Sequence, residues 1–257
     1  FHHISYSMGN AFKTGADGLP LFDTYNNGSY ADGAAAYFAN NTFDPRFSHT
    51  IAAPGLPWKY DPNLLFEAKG IRNGAEYGYF KSIKELPRPN CGCLLYDGWQ
   101  FNSMNKRMIR YDEVLLWKAE VLIQLDRPNE ALEPINKIRQ RAANSTGRLK
   151  KSDGSPVLNY KIETYKPGVN CTWTKEFALK AMQWENRLEM AGEGRRFFDL
   201  QRWGILEKTM NDYFAVEKNR FAWMGVAKFT AGRDEFFPIP QPQINWAKGN
   251  YTQNPGY

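Results

Sequence analysis

Apolar positions recur at helical spacing twice in succession between residues 111 and 143 of the 257-residue chain. In YDEVLLWKAEVLIQL, Val114, Trp117, Val121, Leu122 and Leu125 share one face, and Leu115, Ala119 and Ile123 extend the apolar surface nearly all round. A helix of this kind is buried on several sides, and the pattern makes Trp117 a core ring whose truncation unfolds the unit. LDRPN interrupts the run, and Pro128 suits the first turn of the next helix, where its missing N–H is not needed. Ala131, Leu132, Ile135 and Ile138 form the inner face of that second helix, while Ala119 and Ala131 are small enough for two antiparallel helices to approach closely. The pattern is that of a tetratricopeptide-like helix–turn–helix unit. A solenoid needs about three such units to bury its core. The stacking neighbours are therefore expected in an N-terminal part of a longer parent chain, and residues 1–257 alone are expected to present a broad apolar face.

Residues 144–173 read as an exposed polar insertion with a short strand. Thr174 caps a further helix with Glu176 in its first turn, where the helix dipole favours a negative charge. Phe177, Ala181, Trp184, Leu188 and Ala191 then step along one core-facing stripe. The first 110 residues differ: YNNGSYADG, IAAPGLPWKYDPN and LPRPNCGC read as turns and loops with few sustained periods. The expected organisation is one continuous domain, with a loop-rich, aromatic-studded region over 1–110 and a helical region over 111–257.

The stretch WENRLEMAGEGRRFFDLQRWG, residues 184–204, sets charges beside large apolar rings. Glu185 and Glu189 lie four apart next to the apolar stripe, where like charges repel unless cations compensate. Gly192 and Gly194 turn the chain, and Arg195, Arg196 and Arg202 follow with Asp199 at helical spacing from each. A glycosidase-like carboxylate pair would need one carboxyl kept protonated, whereas a matched set of arginines holds acids ionised. The reading is a structural ion network of Glu185, Glu189, Glu193, Arg195, Arg196, Asp199 and Arg202 bracing a helical corner. Glu193, Arg196 and Asp199 are expected buried and mutually paired, with Phe197, Leu200 and Trp203 turned inward.

Composition narrows the function classes. The net charge of +6 permits an acidic partner, but no basic run reads as a nucleic-acid arm. No apolar stretch approaches the roughly 20 residues of a membrane span, and Phe1-His2-His3-Ile4 contains no signal-peptide pattern. Cys91, Cys93 and Cys171 lack the second pair that a zinc site needs, which leaves free thiols or one disulfide. His2, His3 and His49 lack ligand spacing, and GADG and GEG are too short to cradle phosphate, so no metal, cofactor or catalytic set is called for.

Three segments in order, RYDEVLLWKAEVLIQL…NEALEPINKIRQRA, WENRLEMAGEGRRFFDLQRWG and FFPIPQPQINWAKGNYTQNPGY, resemble the C-terminal motifs of the SusD/RagB family, and DPRF at residues 44–47 resembles a weaker motif upstream. One position departs: Asn186 stands where the family usually has arginine, with Arg187 beside it. The resemblance implies a mainly α, tetratricopeptide-like fold with long irregular loops. It further implies a surface-exposed outer-membrane lipoprotein of Bacteroidetes-type bacteria, anchored through an N-terminal cysteine outside this chain. Such proteins capture nutrients, usually glycans in polysaccharide utilisation, beside a SusC-like TonB-dependent transporter. Tyr257 then lies close to the native C-terminus.

The function expected is non-catalytic glycan binding. Sugars stack their C–H faces on Trp and Tyr, and loop aromatics are the candidates: Trp58 and Tyr60 first, then Tyr25, Tyr30 and Trp99. At least one of Trp58 and Tyr60 is expected exposed along a shallow groove. Packing in the core is the competing role for each ring. Capture of peptides or another polymer, and a scaffold role for the transporter, are the alternatives.

Overall fold

The computed structural model describes residues 3–88, 91–94 and 102–257 and divides the chain into two compact units, Phe1–Gly194 and Arg195–Tyr257. The loop-rich stretch and the helical hairpin thus share the first unit. Its helices are α1 (Tyr6–Ala11), α2 (Ala34–Ala39), α3 (Arg46–Thr50), α4 (Gly74–Tyr77), α5 (Tyr111–Gln124), α6 (Pro128–Ala143) and α7 (Lys175–Glu189). Three short antiparallel ladders pair β1 (Lys13–Thr14) with β2 (Thr42–Phe43), β3 (Ile51–Ala52) with β6 (Lys81–Ser82), and β4 (Pro57–Trp58) with β5 (Asp61–Leu65). The second unit holds α8 (Arg196–Arg202), α9 (Leu206–Glu217) and α10 (Gln241–Trp246). The fold is mainly α. Among the described residues no helix is long and apolar enough to cross a membrane.

Helices α5 and α6 form the hairpin, with Pro128 at the start of α6, and both pack on α7. Thr174 caps α7, its hydroxyl accepting from the Phe177 N–H at 3.2 Å. Leu115, Leu116, Ile138 and Met190 meet in a buried cluster, and Ala119 and Ala131 are fully buried where the hairpin helices approach. The inward face of α5 is not the one its pattern suggests. Leu115, Leu116, Ala119, Leu122 and Ile123 are buried, whereas Val114, Trp117, Val121 and Leu125 are exposed, Trp117 by 41%. The physical reason lies in the sequence itself: α5 has apolar residues on nearly every side, so periodicity cannot choose a face. Its two neighbours α6 and α7 made the choice.

The loop-rich residues build their own core from rings. Tyr6, Tyr30, Tyr37, Phe43, Phe47 and Phe80 are buried and contact one another at centroid separations of 4.8–6.2 Å. Short helices carry no long aliphatic stripe, and aromatic side chains supply large buried area from few positions. The insertion 144–173 is not simply exposed either. Leu149, Val157, Leu158 and Tyr165 are buried, and Tyr160 donates to Ser48 Oγ at 2.7 Å. Asn136 holds this strap from α6, donating to the Tyr165 carbonyl and accepting from its N–H, each at 2.8 Å.

In the second unit Leu200, Leu206 and Phe229 form a buried cluster, with Phe197 and Trp203 packed against it. Cys91 and Cys93 are joined as a disulfide, and Cys171 is a free thiol.

Urea unfolding of the 257-residue chain separates the two faces of α5. Trp117→Ala is expected to change stability by no more than about 0.5 kcal/mol, as for an exposed site. Ile123→Ala is expected to cost about 2–5 kcal/mol through the cavity it opens.

Candidate functional site

The residues DPRF place a guanidinium at the centre of the first unit. Asp44 precedes α3 and accepts from the Arg46 backbone N–H at 2.9 Å, which orders the first turn. The same carboxylate takes Arg46 Nε at 2.9 Å and Nη2 at 2.7 Å in a two-point contact. Arg46 then reaches α7, with Nη2 2.8 Å from Glu185 and Nη1 3.2 Å from Glu189. Arg139 of α6 joins from the other side. It donates to Glu185, to the Glu163 carbonyl at 2.6 Å and to the Gly18 carbonyl at 3.0 Å, with its guanidinium over the Tyr165 ring. Arg141 binds both Glu189 oxygens at 2.6 and 2.7 Å. Lys84 and Arg110 each hold Glu193 at 2.8 Å, and Arg110 also pairs with Asp112.

Five carboxylates (Asp44, Asp112, Glu185, Glu189, Glu193) thus meet five cations (Arg46, Lys84, Arg110, Arg139, Arg141). Burial opposes the charge on Arg46, yet Asp44 and Glu185 hold it more firmly protonated than usual. Burial alone would raise the Glu189 carboxyl, but Arg46, the hydrogen bond to Asp112, and Arg141 hold it well below the ordinary carboxylate range. Asp112 moves the other way, pushed up to about 6 by burial first and then by its bond to Glu189.

Above this hub lies a cavity of about 230 Å³ whose lining includes His49, Lys59, Tyr60, Arg107, Arg141 and Ser145. Lys59 and Tyr60 are the two-residue tip of the β4–β5 hairpin, between the paired residues Trp58 and Asp61. His49 anchors the tyrosine, with Nδ1 2.9 Å from Tyr60 Oη and Nε2 2.9 Å from Ser145 Oγ. The Ser145 hydroxyl donates its one proton to the Ala142 carbonyl at 2.6 Å, so it accepts from His49 Nε2–H, and Nδ1 accepts from the tyrosine. Burial pushes the His49 pKa down, which keeps this neutral tautomer.

The structure redistributes the residues singled out from sequence. Glu185, Glu189 and Glu193 are met by cations of α3, α6 and the segments before α5. In the second unit Asp199 accepts Arg202 Nε at 2.9 Å, and Arg196 and Arg202 lie over the Trp203 ring. Glu193, Arg195, Arg196 and Asp199 are half-buried, where burial of Glu193, Arg196 and Asp199 was expected. Arg187 does not enter the hub in place of the missing family arginine. It stacks on Tyr25 and Trp184 at 4.6 and 4.9 Å, and Asn186 is buried beside it. That places Tyr25 in a packing cluster, T-shaped against Trp184 at 5.1 Å.

Tyr30 is 8% exposed within the ring core and offers no face to a ligand. Trp58 stacks on Phe66 at 5.2 Å over the cluster of Ala52, Ile71 and Ile83, so one face is used in packing. Tyr60 lines the cavity, half-buried, so neither leading candidate is exposed. Trp99 lies outside the described residues. Sequence reasoning missed Arg46, Lys84, Arg110, Arg139 and Arg141 as members of the hub. A signal existed for two of them: Arg46 is in DPRF, and Arg139 falls on the buried face of α6 beside Ile135 and Ile138.

A family model described as the SusD family matches residues 2–257. The chain belongs to the SusD family. Two relatives come from Formosa agariphila: SusD-like protein P38, 30% identical over 48% of this chain, and SusD-like protein P2, 26% identical over 61%. The aligned segments make up 22% and 26% of those proteins, so the match covers only about a quarter of the length of these relatives. The same fold occurs in a SusD homolog from Bacteroides thetaiotaomicron, with a TM-score of 0.54 at 20% identity over 83% of this chain and 41% of that one. It occurs also in a SusD superfamily protein from Bacteroides vulgatus, with a TM-score of 0.52 at 18% identity over 100% and 55%.

Removing Arg139 takes away one of the two cations that compensate the fully buried Glu185. Arg139→Ala is therefore expected to cost about 3–5 kcal/mol, read from urea midpoints at pH 7. The pH profile carries two opposite slopes. Glu189, depressed when folded, contributes stability above its unfolded value of 4.5 that is lost as pH falls below it. Asp112, raised from 3.8 to about 6, contributes stability in acid that is lost as pH rises between those values. Asp112→Asn should flatten the profile between those two values and leave the acid limb of Glu189, as urea midpoints across that range would show.

Proposed function

We propose that this chain is the ligand-facing part of a non-catalytic, cell-surface nutrient-binding protein that captures glycans and passes them to a SusC-like TonB-dependent transporter. The observation that carries the reading is the SusD family match across residues 2–257. The cavity beneath the β4–β5 tip supports it chemically. It combines an aromatic ring, Tyr60, with hydrogen-bonding side chains held rigid by the hub, the combination that suits a sugar with an apolar face and polar rim. Attachment to the outer membrane by a lipid on an N-terminal cysteine belongs to the same reading, as family membership implies it. The outward stripe of Val114, Trp117, Val121 and Leu125 is read as a stacking face for helical repeats outside residues 1–257.

The test uses the intact protein and a panel of soluble polysaccharides in affinity electrophoresis. At least one glycan is expected to retard it, with no release of reducing ends on prolonged incubation. Tyr60→Ala is expected to weaken that binding by about 2 kcal/mol. Trp58→Ala is expected to lower thermal stability, because that ring packs on Phe66. A panel without any glycan ligand, beside clear binding of a peptide, would sink the reading.

A further inference from the structure

The hairpin tip over the cavity breaks a local rule. Two-residue hairpin loops favour glycine or asparagine because left-handed backbone is required there. Here the tip is Lys59 and Tyr60, with φ of 48° and 70°. Glu85, at φ 58°, lines the same cavity. Among the described residues six non-glycine positions have positive φ, and three of them surround this one space. Strained backbone concentrated in this way marks a site whose side chains matter more than local stability.

The charges of the lining give the site its sign. Six cations (Arg46, Lys59, Lys84, Arg107, Arg110, Arg141) face three acids (Glu85, Glu189, Glu193). Each acid is already engaged: Glu85 by Arg107 at 2.9 Å, Glu189 by Arg46, Arg110 and Arg141, and Glu193 by Lys84 and Arg110. Arg46 is deep in the hub, so the groups left to meet a ligand are at the outer side. Lys59 makes no ion pair among the described residues. Burial first, and then the approach of Arg107, push its ammonium below the ordinary lysine range. Arg141 spends only Nη2 on Glu189, and its side chain is 56% exposed, leaving the N–H groups of Nε and Nη1 to donate elsewhere. Each can give a single charge-assisted bond to a carboxylate or sulfate oxygen.

We infer that Lys59 and Arg141, with the Tyr60 ring beside them, form a subsite for an anionic sugar substituent, so that the captured glycan carries carboxylate or sulfate groups. The inference rests on the glycan-binding reading above and adds the ligand's charge. A neutral sugar can accept from these cations through its hydroxyl oxygens but brings no charge to offset theirs, and the cavity's carboxylates are already paired with cations. A cavity smaller than the roughly 300–1,000 Å³ of drug-sized sites suits a single sugar unit or its substituent, not a stretch of polymer.

Calorimetry on the intact protein tests this with four probes: a galacturonate oligosaccharide, its carboxyl-reduced counterpart, a sulfated galactan oligosaccharide and its desulfated counterpart. One charged probe is expected to bind at least tenfold more tightly than its neutral counterpart, and which one identifies the group. Lys59→Asn is expected to lose roughly tenfold of that affinity while Tm holds or rises, because asparagine tolerates the left-handed tip. Lys59→Arg should retain binding, and Lys151→Asn, which removes an equal charge from the exposed 150–156 turn, should have no effect. Neutral counterparts binding as tightly, with Lys59→Asn inert, would overturn the anionic subsite and leave glycan capture standing. Equal losses in Lys59→Asn and Lys151→Asn would overturn it in favour of bulk charge. Silence with all four probes and with the wider polysaccharide panel would count against the glycan reading itself.

Discussion

A guanidinium withdrawn from water must be matched by carboxylates, and Arg46 is 4% exposed. The joining of α3 to α7 answers to that requirement. An unpaired buried charge is prohibitive, whereas one held by several oxygens in good geometry is tolerable. Arg46 comes from a five-residue helix that could not persist alone. Its distant partners Glu185 and Glu189 come from α7, which packs on α5 and α6. The charge therefore ties a locally weak, irregular segment to a helical frame, and does so with directional bonds that apolar contact lacks.

The same requirement explains why α7 bears acids among its buried residues. Glu185 and Glu189 share one side of the helix at a spacing that is repulsive in isolation. Arginines from α3 and α6, with Arg110 ahead of α5, turn that liability into the meeting point of three parts of the chain. Burial sorts the carboxyls: Glu189, surrounded by cations, stays ionised, while Asp112 at its edge is held closer to neutral. Because hub carboxylates are consumed inward, the rim retains an excess of cationic donors. Stability and the proposed anionic subsite thus draw on one charge system, read at two depths.

Aromatic residues divide between two roles along the same lines. Most rings in the loop-rich half fill a core that short helices cannot build from aliphatic stripes. Tyr30 and Tyr25 are used up in this way, one in the ring cluster and the other beneath Arg187. Tyr60 escapes that use because a strained hairpin tip carries it over the cavity, with His49 fixing its hydroxyl.

Local patterns determined much of this protein. The hairpin of α5 and α6, the Thr174 cap of α7, its apolar stripe and the mainly α class all follow from spacing and end signals, which act over a few residues. The three C-terminal motifs and DPRF carried the family. The need to compensate Glu185 and Glu189 was legible too, because two acids beside an apolar stripe require it. Which cations compensate them was decided only in three dimensions, since Arg46 and Arg139 are 139 and 46 positions away from Glu185. Nearby arginines after Gly194 looked sufficient in one dimension. The inward face of α5 was likewise a tertiary decision, because a helix apolar on nearly all sides leaves the choice to its neighbours. So was the candidate site: that a lysine and a tyrosine occupy a left-handed tip over a cationic cavity follows from the register of β4 on β5, which no local propensity of Lys-Tyr encodes.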